Sequence, residues 1–323
     1  MAYERGASLA TLQQRAAMLT AIRAFFAARG VLEVETPALS PAGVTDPAIE
    51  SIVAEPRSLA PARHYLHTSP EFAMKRLLAD GSGDIYQVCR VFRDDELGRW
   101  HQPEFTLLEW YRVGWNDVEL MTEVAELVAT ACAAAGRAPA ATMHLRYAQA
   151  LDAALGLAPD APTHELERRL RETGIDVPRG LAHDAVLDLA FGTLVLASFD
   201  PRALTFVFDY PPSQAALARL KPTAPPVAAR FEAFSGGIEL ANGFHELTDA
   251  AEQRRRFLAE RERRIANGQH APPLDEQLLK ALATLPDCAG VALGFDRLVA
   301  LATGQEGVAA TMSFAHGRGV TTA

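Results

Sequence analysis

The sequence predicts an α+β fold, an antiparallel β-sheet flanked by helices, on three observations. Strand-like runs come as hairpin neighbours, residues 85–113 and the pair around 231–244. Helical periodicity is confined to separate stretches such as residues 8–29 and 249–266. Few βαβ alternations lie between them, which disfavours a doubly wound parallel sheet.

Each element follows from local chemistry. Leu9, Leu12, Ala16, Leu19, Ile22, Phe25 and Phe26 recur at helical spacing, and Gly30 supplies the C-terminal stop. Residues 31–39, "VLEVETPAL", alternate as a strand until Pro37 ends it. After a Pro-, Ala- and Ser-punctuated stretch, Ser69 is placed to cap a helix that Pro70 opens, with Gly81 beyond its end. The hairpin of residues 85–113 follows. From about 137 to 182 the chain turns Ala- and Pro-rich, with amphipathic pieces such as "THELERRLRETG", and reads as an inserted helical segment without a catalytic role. "ALTFVFDY", residues 203–210, is a buried strand that Pro211 and Pro212 stop, and "KPTAPP" is a surface loop. The pair around 231–244 leads into a charged helix, Asp249 to Ala266, opened by "DAAE" and closed at Asn267 and Gly268. "GVALGFDRLVALATG" then gives a strand, a turn at Gly294 and a helix capped by Asp296 and ended at Gly304.

The 323 residues, 49% hydrophobic and 22% charged, have the composition of an ordinary soluble globular protein. A formal charge of −9 leaves no basic footprint for non-specific nucleic-acid binding. Cys89, Cys132 and Cys288 are too few and too far apart for a disulfide framework or a CxxC metal site, so a reducing compartment is expected. The N-terminus has no apolar signal region, and no window reaches the roughly 18 apolar residues of a membrane span. A cytoplasmic protein without membrane contact is expected.

Four groups of residues are candidates to carry chemistry. On the return strand "PEFTLLEWYR", Phe105, Leu107, Glu109 and Tyr111 share one face, with Phe105 and Glu109 roughly 14 Å apart. That face suits a ligand with an aromatic base and a distant cation, or else a sheet on which Phe packs and Glu meets water. The hairpin tip holds Arg93 and Arg99 among Asp94, Asp95 and Glu96, which suits an anionic ligand or a self-paired solvated loop. "GGIELANGFHEL" places Glu239 and Glu246 seven residues apart, either as Mg²⁺ ligands beside a phosphate or as unrelated surface acids. His245-Glu246 lacks the second His of a zinc signature. Arg297, at a strand-to-helix junction behind Gly290 and Gly294, can face a phosphate, although tight strand-on-helix packing explains the same glycines.

Together these segments resemble the catalytic core of class II aminoacyl-tRNA synthetases, most closely the lysyl branch. "GVLEVETPAL", "VFRDDELGRWHQPEFTLLEWYR" and "GVALGFDRLVAL" are similar to that family's first, second and third motifs in order, and "GGIELANGFHELTDA" to the lysyl metal-and-substrate segment. The resemblance covers nearly the whole chain, so residues 1–323 are expected to form one catalytic domain. The core begins almost at Met1, so no anticodon-binding barrel is expected, and Ala292 stands where the tRNA enzymes usually have Gly. The pattern is similar to a stand-alone lysyl paralogue family that attaches (R)-β-lysine to a lysine side chain of translation elongation factor P.

The resemblance implies ATP and Mg²⁺ as cofactors, lysine or β-lysine and elongation factor P as substrates, tRNA as an unfavoured partner, and a homodimer built through the first motif. It implies that Arg93 and Arg297 are catalytic, and that Arg93, Asp94, Asp95, His101, Gln102, Phe105, Glu239, Leu240, Gly294 and Arg297 hold ATP. Ser69, Pro70, Glu71, Glu109, Tyr111, Asn242 and Glu246 would hold the amino acid, and Glu239 and Glu246 the metal, with the substrate ammonium as the alternative for Glu246. The family's Arg-x-Glu is Arg93-Asp94-Asp95 here unless Glu96 substitutes, and its His-Asn pair is His101-Gln102. A reduced enzyme acylating tRNA and a catalytically silent regulatory paralogue are the rival readings.

Overall fold

The computed structural model describes residues 4–138 and 140–317; residues 1–3, 139 and 318–323 of the expected single domain lie outside them. The main sheet starts at β1 (Leu32–Glu33), which runs parallel to β2 (Ile85–Phe92). β2 and β3 (Glu104–Val113) form the charged hairpin, in register from Ile85 opposite Tyr111 to Phe92 opposite Glu104. β4 (Ala141–Arg146) and β5 (Ala203–Tyr210) pair in parallel, and β6 (Val227–Ser235) and β7 (Ile238–His245) form the second hairpin. β8 (Cys288–Gly294) lies between the hairpins, so the order is β1-β2-β3-β8-β7-β6-β5-β4, antiparallel except at its two edge pairs.

One face of this sheet is covered by helices. α1 (Leu9–Ala27) starts where the Ser8 hydroxyl accepts from Thr11 N at 3.1 Å, and its Met18, Ile22 and Phe26 enter the main core. α2 (Glu71–Ala79) lies on the opposite side of the sheet, its first turn held by Glu71 N donating to the Ser69 hydroxyl at 3.0 Å. Pro70 therefore sits just ahead of the helix, one residue earlier than the sequence placed it. α3 (Asp117–Ala134), which the sequence reading did not separate, is opened by a reciprocal Asn116–Glu119 cap and packs beside α1. Leu108 and Trp110 of β3 and Val291 and Leu293 of β8 complete this core. Each such side chain contributes about 1.5–3 kcal/mol on burial.

The segment expected as a helical insertion is helical only in part. It opens with β4, then α4 (Tyr147–Leu155) and α5 (Thr163–Glu172), and α6 (His183–Ala190) follows it. Leu151, Leu166, Leu170 and Leu187 form a core of their own under the β5 end of the sheet. α7 (Ala250–Ala266), capped by Asp249, and α8 (Glu276–Ala281) pack against α2 around Met74, Phe257 and Leu278. The expected strand over 31–39 is cut short: only Leu32–Glu33 joins the main sheet, while Leu39–Ser40 pairs with His64–Leu66 in a small separate sheet.

α9 (Phe295–Thr303) ends at Gly304 as expected, yet Asp296 is not its cap. The residue ahead of the helix is Gly294, and the Asp296 carboxylate is buried, accepting from Arg15 Nη1 and from Thr106 N, both at 2.6 Å. Asp296 thus ties α1, β3 and α9 together beneath the sheet face that Phe105 occupies. Among the described residues no helix is long and apolar enough to cross a membrane, and all three cysteines are free thiols.

Candidate active site

The face of the sheet away from α1 and α3 carries a cleft of about 900 Å³, within the range of small-ligand sites. Its floor is low because β8 presents only Gly290, Ala292 and Gly294 there, opposite Tyr111, Glu109 and Leu107 of β3. Large side chains of the neighbouring strands therefore rise on both sides of a shallow strip. Alternation along β3 sends Leu108 and Trp110 into the core and leaves Phe105 and Leu107 on the cleft wall.

At one end of the cleft the basic groups converge. The Arg93 guanidinium stands 5.1 Å from the Phe105 ring, donates to the Thr68 carbonyl at 3.4 Å and lies 3.7 Å from Glu96. Arg297 donates to the Glu239 carbonyl at 2.8 Å, to the Trp100 carbonyl at 3.2 Å and to His101 Nε2 at 2.8 Å. Burial, helped by the Arg297 charge, holds His101 below its ordinary value, consistent with a neutral ring that accepts this bond. Gly294 and Leu240 line the same end.

Two tip residues depart from the expectation. Asp94 and Asp95 are exposed and do not line the cleft, because the chain turns outward at Asp95, whose φ of 59° lies in the left-handed region. Glu96 takes the position facing Arg93, so the acid beside this arginine is the longer side chain. Gln102 lines the cleft, but its side chain clamps the backbone of His316, accepting at 2.9 Å and donating at 3.5 Å.

Acids gather at the other end. Ser69, Pro70 and Glu71 line the cleft, and Glu109, Tyr111 and Glu246 lie just behind its wall, each 1–2% exposed. Glu109 accepts from the Ser69 hydroxyl and from the Tyr111 hydroxyl, both at 2.7 Å. Lys75 reaches Glu71 and Glu246, each at 2.6 Å. Burial, with repulsion from Glu71, pushes Glu109 up to about 8, and burial also pushes Glu246 up to about 7 against the pull of Lys75. Among the described residues Oε1 of Glu246 has no hydrogen-bond partner, so it is free to accept from a further donor.

The pH consequence has a definite sign. A carboxyl raised from 4.5 to about 8 on folding keeps its proton-linked stability below its ordinary value and loses it as the pH climbs through about 8. Glu109 therefore costs up to about 1.4 kcal/mol per pH unit across that window. Urea midpoints at pH 5, 6.5 and 8 are expected to fall more steeply for the wild type than for Glu109→Gln. Parallel curves would show that Glu109 does not titrate there.

The expected metal pair is separated. Glu246 is occupied by Lys75, whereas Glu239 lines the cleft, 43% exposed, with Arg297 Nη1 at 3.6 Å. Strict alternation would set Glu239 on the face opposite Asn242 and Phe244, but a register shift at Leu240 brings all three to the cleft. The acid that joins Glu239 there is Glu232 of β6, which burial and the nearby Glu239 charge both raise. Arg230 holds Glu232 at 2.5 Å and donates to Asn242 Oδ1 at 3.3 Å. Sequence reasoning missed Arg230, Glu232 and Lys75, although Arg230-x-Glu232 has the alternation of a strand face and Lys75 follows Glu71 by one helical turn.

A family model described as tRNA synthetases class II (D, K and N) matches residues 1–318. Among similar proteins, the elongation factor P--(R)-beta-lysine ligase of Pseudoalteromonas translucida is 45% identical over 317 residues, 95% of this chain and 96% of the relative. Those of Vibrio cholerae and Vibrio vulnificus are 44% and 46% identical over 323 and 308 residues, covering 95% and 92% of this chain and 96% and 93% of the relatives. With matches of this extent, the chain belongs to the class II tRNA synthetase family of the D, K and N type.

Proposed function

We propose that this chain is an ATP-dependent ligase that activates (R)-β-lysine, or lysine, as an acyl-adenylate and transfers it to a lysine side chain of translation elongation factor P. The carrying observation is the polarity of one cleft: arginines and an aromatic ring at one end, a buried carboxylate cluster at the other. The names of relatives that match almost end to end support the same substrate pair.

In this reading Phe105 stacks on the adenine, Arg93 and Arg297 face the phosphates, and Gly294 and Leu240 border the nucleotide. His101 and Glu96 hold the two guanidinium groups in place. Glu109, Tyr111, Glu71 and Glu246 take the substrate ammonium, with Ser69, Pro70 and Asn242 shaping the pocket. A carboxylate oxygen of the amino acid attacks the α-phosphorus, and the bond to the bridging oxygen breaks to release pyrophosphate. The acceptor amine nitrogen then attacks the acyl carbon, AMP leaves, and the amine proton passes to solvent or a base. The chain's part is positioning and charge neutralisation, without a covalent nucleophile.

Glu239 and Glu232, which both line the cleft, fit Mg²⁺, which takes one or two carboxylates plus phosphate oxygens, whereas Glu246 lies buried behind the wall against Lys75. When bound there, the ion would offset phosphate charge. The same reading treats residues 1–323 as one catalytic domain in which about 137–182 is structural, as none of that segment's described residues lines the cleft. A homodimer is part of it: Leu32 on the edge strand is 55% exposed, an apolar edge that a second copy would cover. Action in the cytoplasm completes the reading.

Pyrophosphate exchange with lysine and with β-lysine tests activation, and mass spectrometry of elongation factor P tests transfer. Exchange with β-lysine and an acylated lysine on the factor are expected. Absence of exchange with both amino acids would leave a silent paralogue, and acid-precipitable charged tRNA would favour a synthetase.

A further inference from the structure

Lys75 is the one member of the acidic end that the proposed reaction does not use. It lies on α2 between Met74 and Leu78, both buried, and its own side chain is 1% exposed. A lysine placed four residues after a glutamate ordinarily forms a solvated pair of little consequence. Here the ammonium is taken wholly out of water, which is costly unless its partners repay it. Two carboxylates at 2.6 Å do so, one on its own helix and one just past the end of β7.

We propose that Lys75 is a positioning residue for the amino-acid site: its ammonium bridges Glu71 to Glu246 and holds both carboxylates aimed at the substrate ammonium. The inference rests on the ligase reading given above. Glu71 lines the cleft directly, and Glu246 lies against the Tyr111 ring and Gly290, so Lys75 spans the cluster from beneath. The other groups in its field are Glu109 and Tyr111 of β3, Cys288 of β8 and Arg219 beside Glu246. Arg219 is committed elsewhere, donating to the Glu246 carbonyl at 3.0 Å and to Asp287 at 2.5 Å. Among the described cations, Lys75 alone touches two acids of this cluster side chain to side chain.

Without Lys75, the buried Glu109 and Glu246 would stand beside Glu71 with no ammonium until substrate arrives. The buried pair would take up protons instead, and substrate binding would then have to expel them. The loss falls on amino-acid affinity and its pH dependence, not on ATP.

The test is pyrophosphate exchange by the full chain, with amino acid and ATP varied separately between pH 6 and 9. Lys75→Met is expected to raise the amino-acid KM by about 100-fold at pH 7, by the energy of an uncompensated buried charge. The ATP KM should stay within about twofold, and the fall of amino-acid KM with pH should move upward by about one unit. Lys75→Arg, which keeps the charge, should restore most of the affinity. An unchanged amino-acid KM in Lys75→Met, or equal losses for ATP and amino acid, overturns the inference. Where Lys75→Met gives no cooperative melt, Lys75→Arg decides alone: amino-acid affinity near wild type with an unmoved pH profile supports the role, and a selective loss comparable to that expected for Met refutes it. A wild-type chain without exchange would sink the ligase reading itself, whereas an active wild type with an indifferent Lys75→Met sinks only this inference.

Discussion

Replacing Arg93 by Ala should lower amino-acid-dependent pyrophosphate exchange by about 10³-fold, the scale expected when a cation that neutralises a transferring phosphoryl group is removed. The contacts of Arg93 predict a chemical loss and not a failure to fold. Arg93 makes one long hydrogen bond to a carbonyl and a 3.7 Å ion pair with Glu96, both near the cleft mouth, and its side chain is 24% exposed. Such contacts contribute little to stability. Thermal melts of Arg93→Ala should therefore overlay the wild type while exchange disappears. Lys at this position should recover only a fraction, because a point charge does not reproduce a planar fork. Near-normal exchange by Arg93→Ala would remove it from the catalytic group.

The second large effect is expected at Gly290. A Cβ there would stand 2.2 and 2.4 Å from two carbons of the Tyr111 ring and 2.6 Å from Glu246 Oε1. Tyr111 is buried and hydrogen-bonded to Glu109, so neither ring nor carboxylate can yield without dismantling the amino-acid end. Gly290→Ala should cost about 1–3 kcal/mol in urea unfolding, as overpacked cores do. It should also raise the amino-acid KM by at least tenfold. Gly294→Ala is the contrast, since its Cβ would meet only Arg297 carbons at 3.5 Å or more. That variant should fold normally and lose affinity for ATP alone. Equal behaviour of the two alanines would contradict the division of the cleft into two ends.

The cleft was legible in the sequence wherever one strand or one short loop decided it. The period-two face of β3 and the glycines of β8 follow from local pattern, which also gave Ser69-Pro70 as a helix start, while the place of Ser69-Pro70-Glu71 in the site came from the family resemblance. What escaped depended on partners distant in the chain. Glu239 and Glu246 look like a pair only until Lys75, on another helix, claims one of them and Glu232, on another strand, joins the other. The outward turn at Asp95 belongs to the tip's backbone, which side-chain similarity does not encode. β4 was missed because its residues 141–146 are almost all exposed and carry no alternation of burial. The Asn116–Glu119 cap of α3 is legible as an Asn followed three residues later by a Glu.

β3 is bonded on both sides, to β2 and to β8, along nearly its whole length. Its amides are therefore released only when the molecule as a whole opens, so the strand bearing Phe105, Glu109 and Tyr111 ranks with the slowest segments in hydrogen exchange. The tip between Arg93 and Gln102 has no such ladder and is tied down mainly by the Gly98–His101 bridge, by Arg297, and by backbone links to Glu50, Pro103 and Val308. The two ends of one cleft thus differ in local stability: in the proposed reading, the amino acid would meet a wall already set, and a nucleotide would meet a loop whose ordering it can still change.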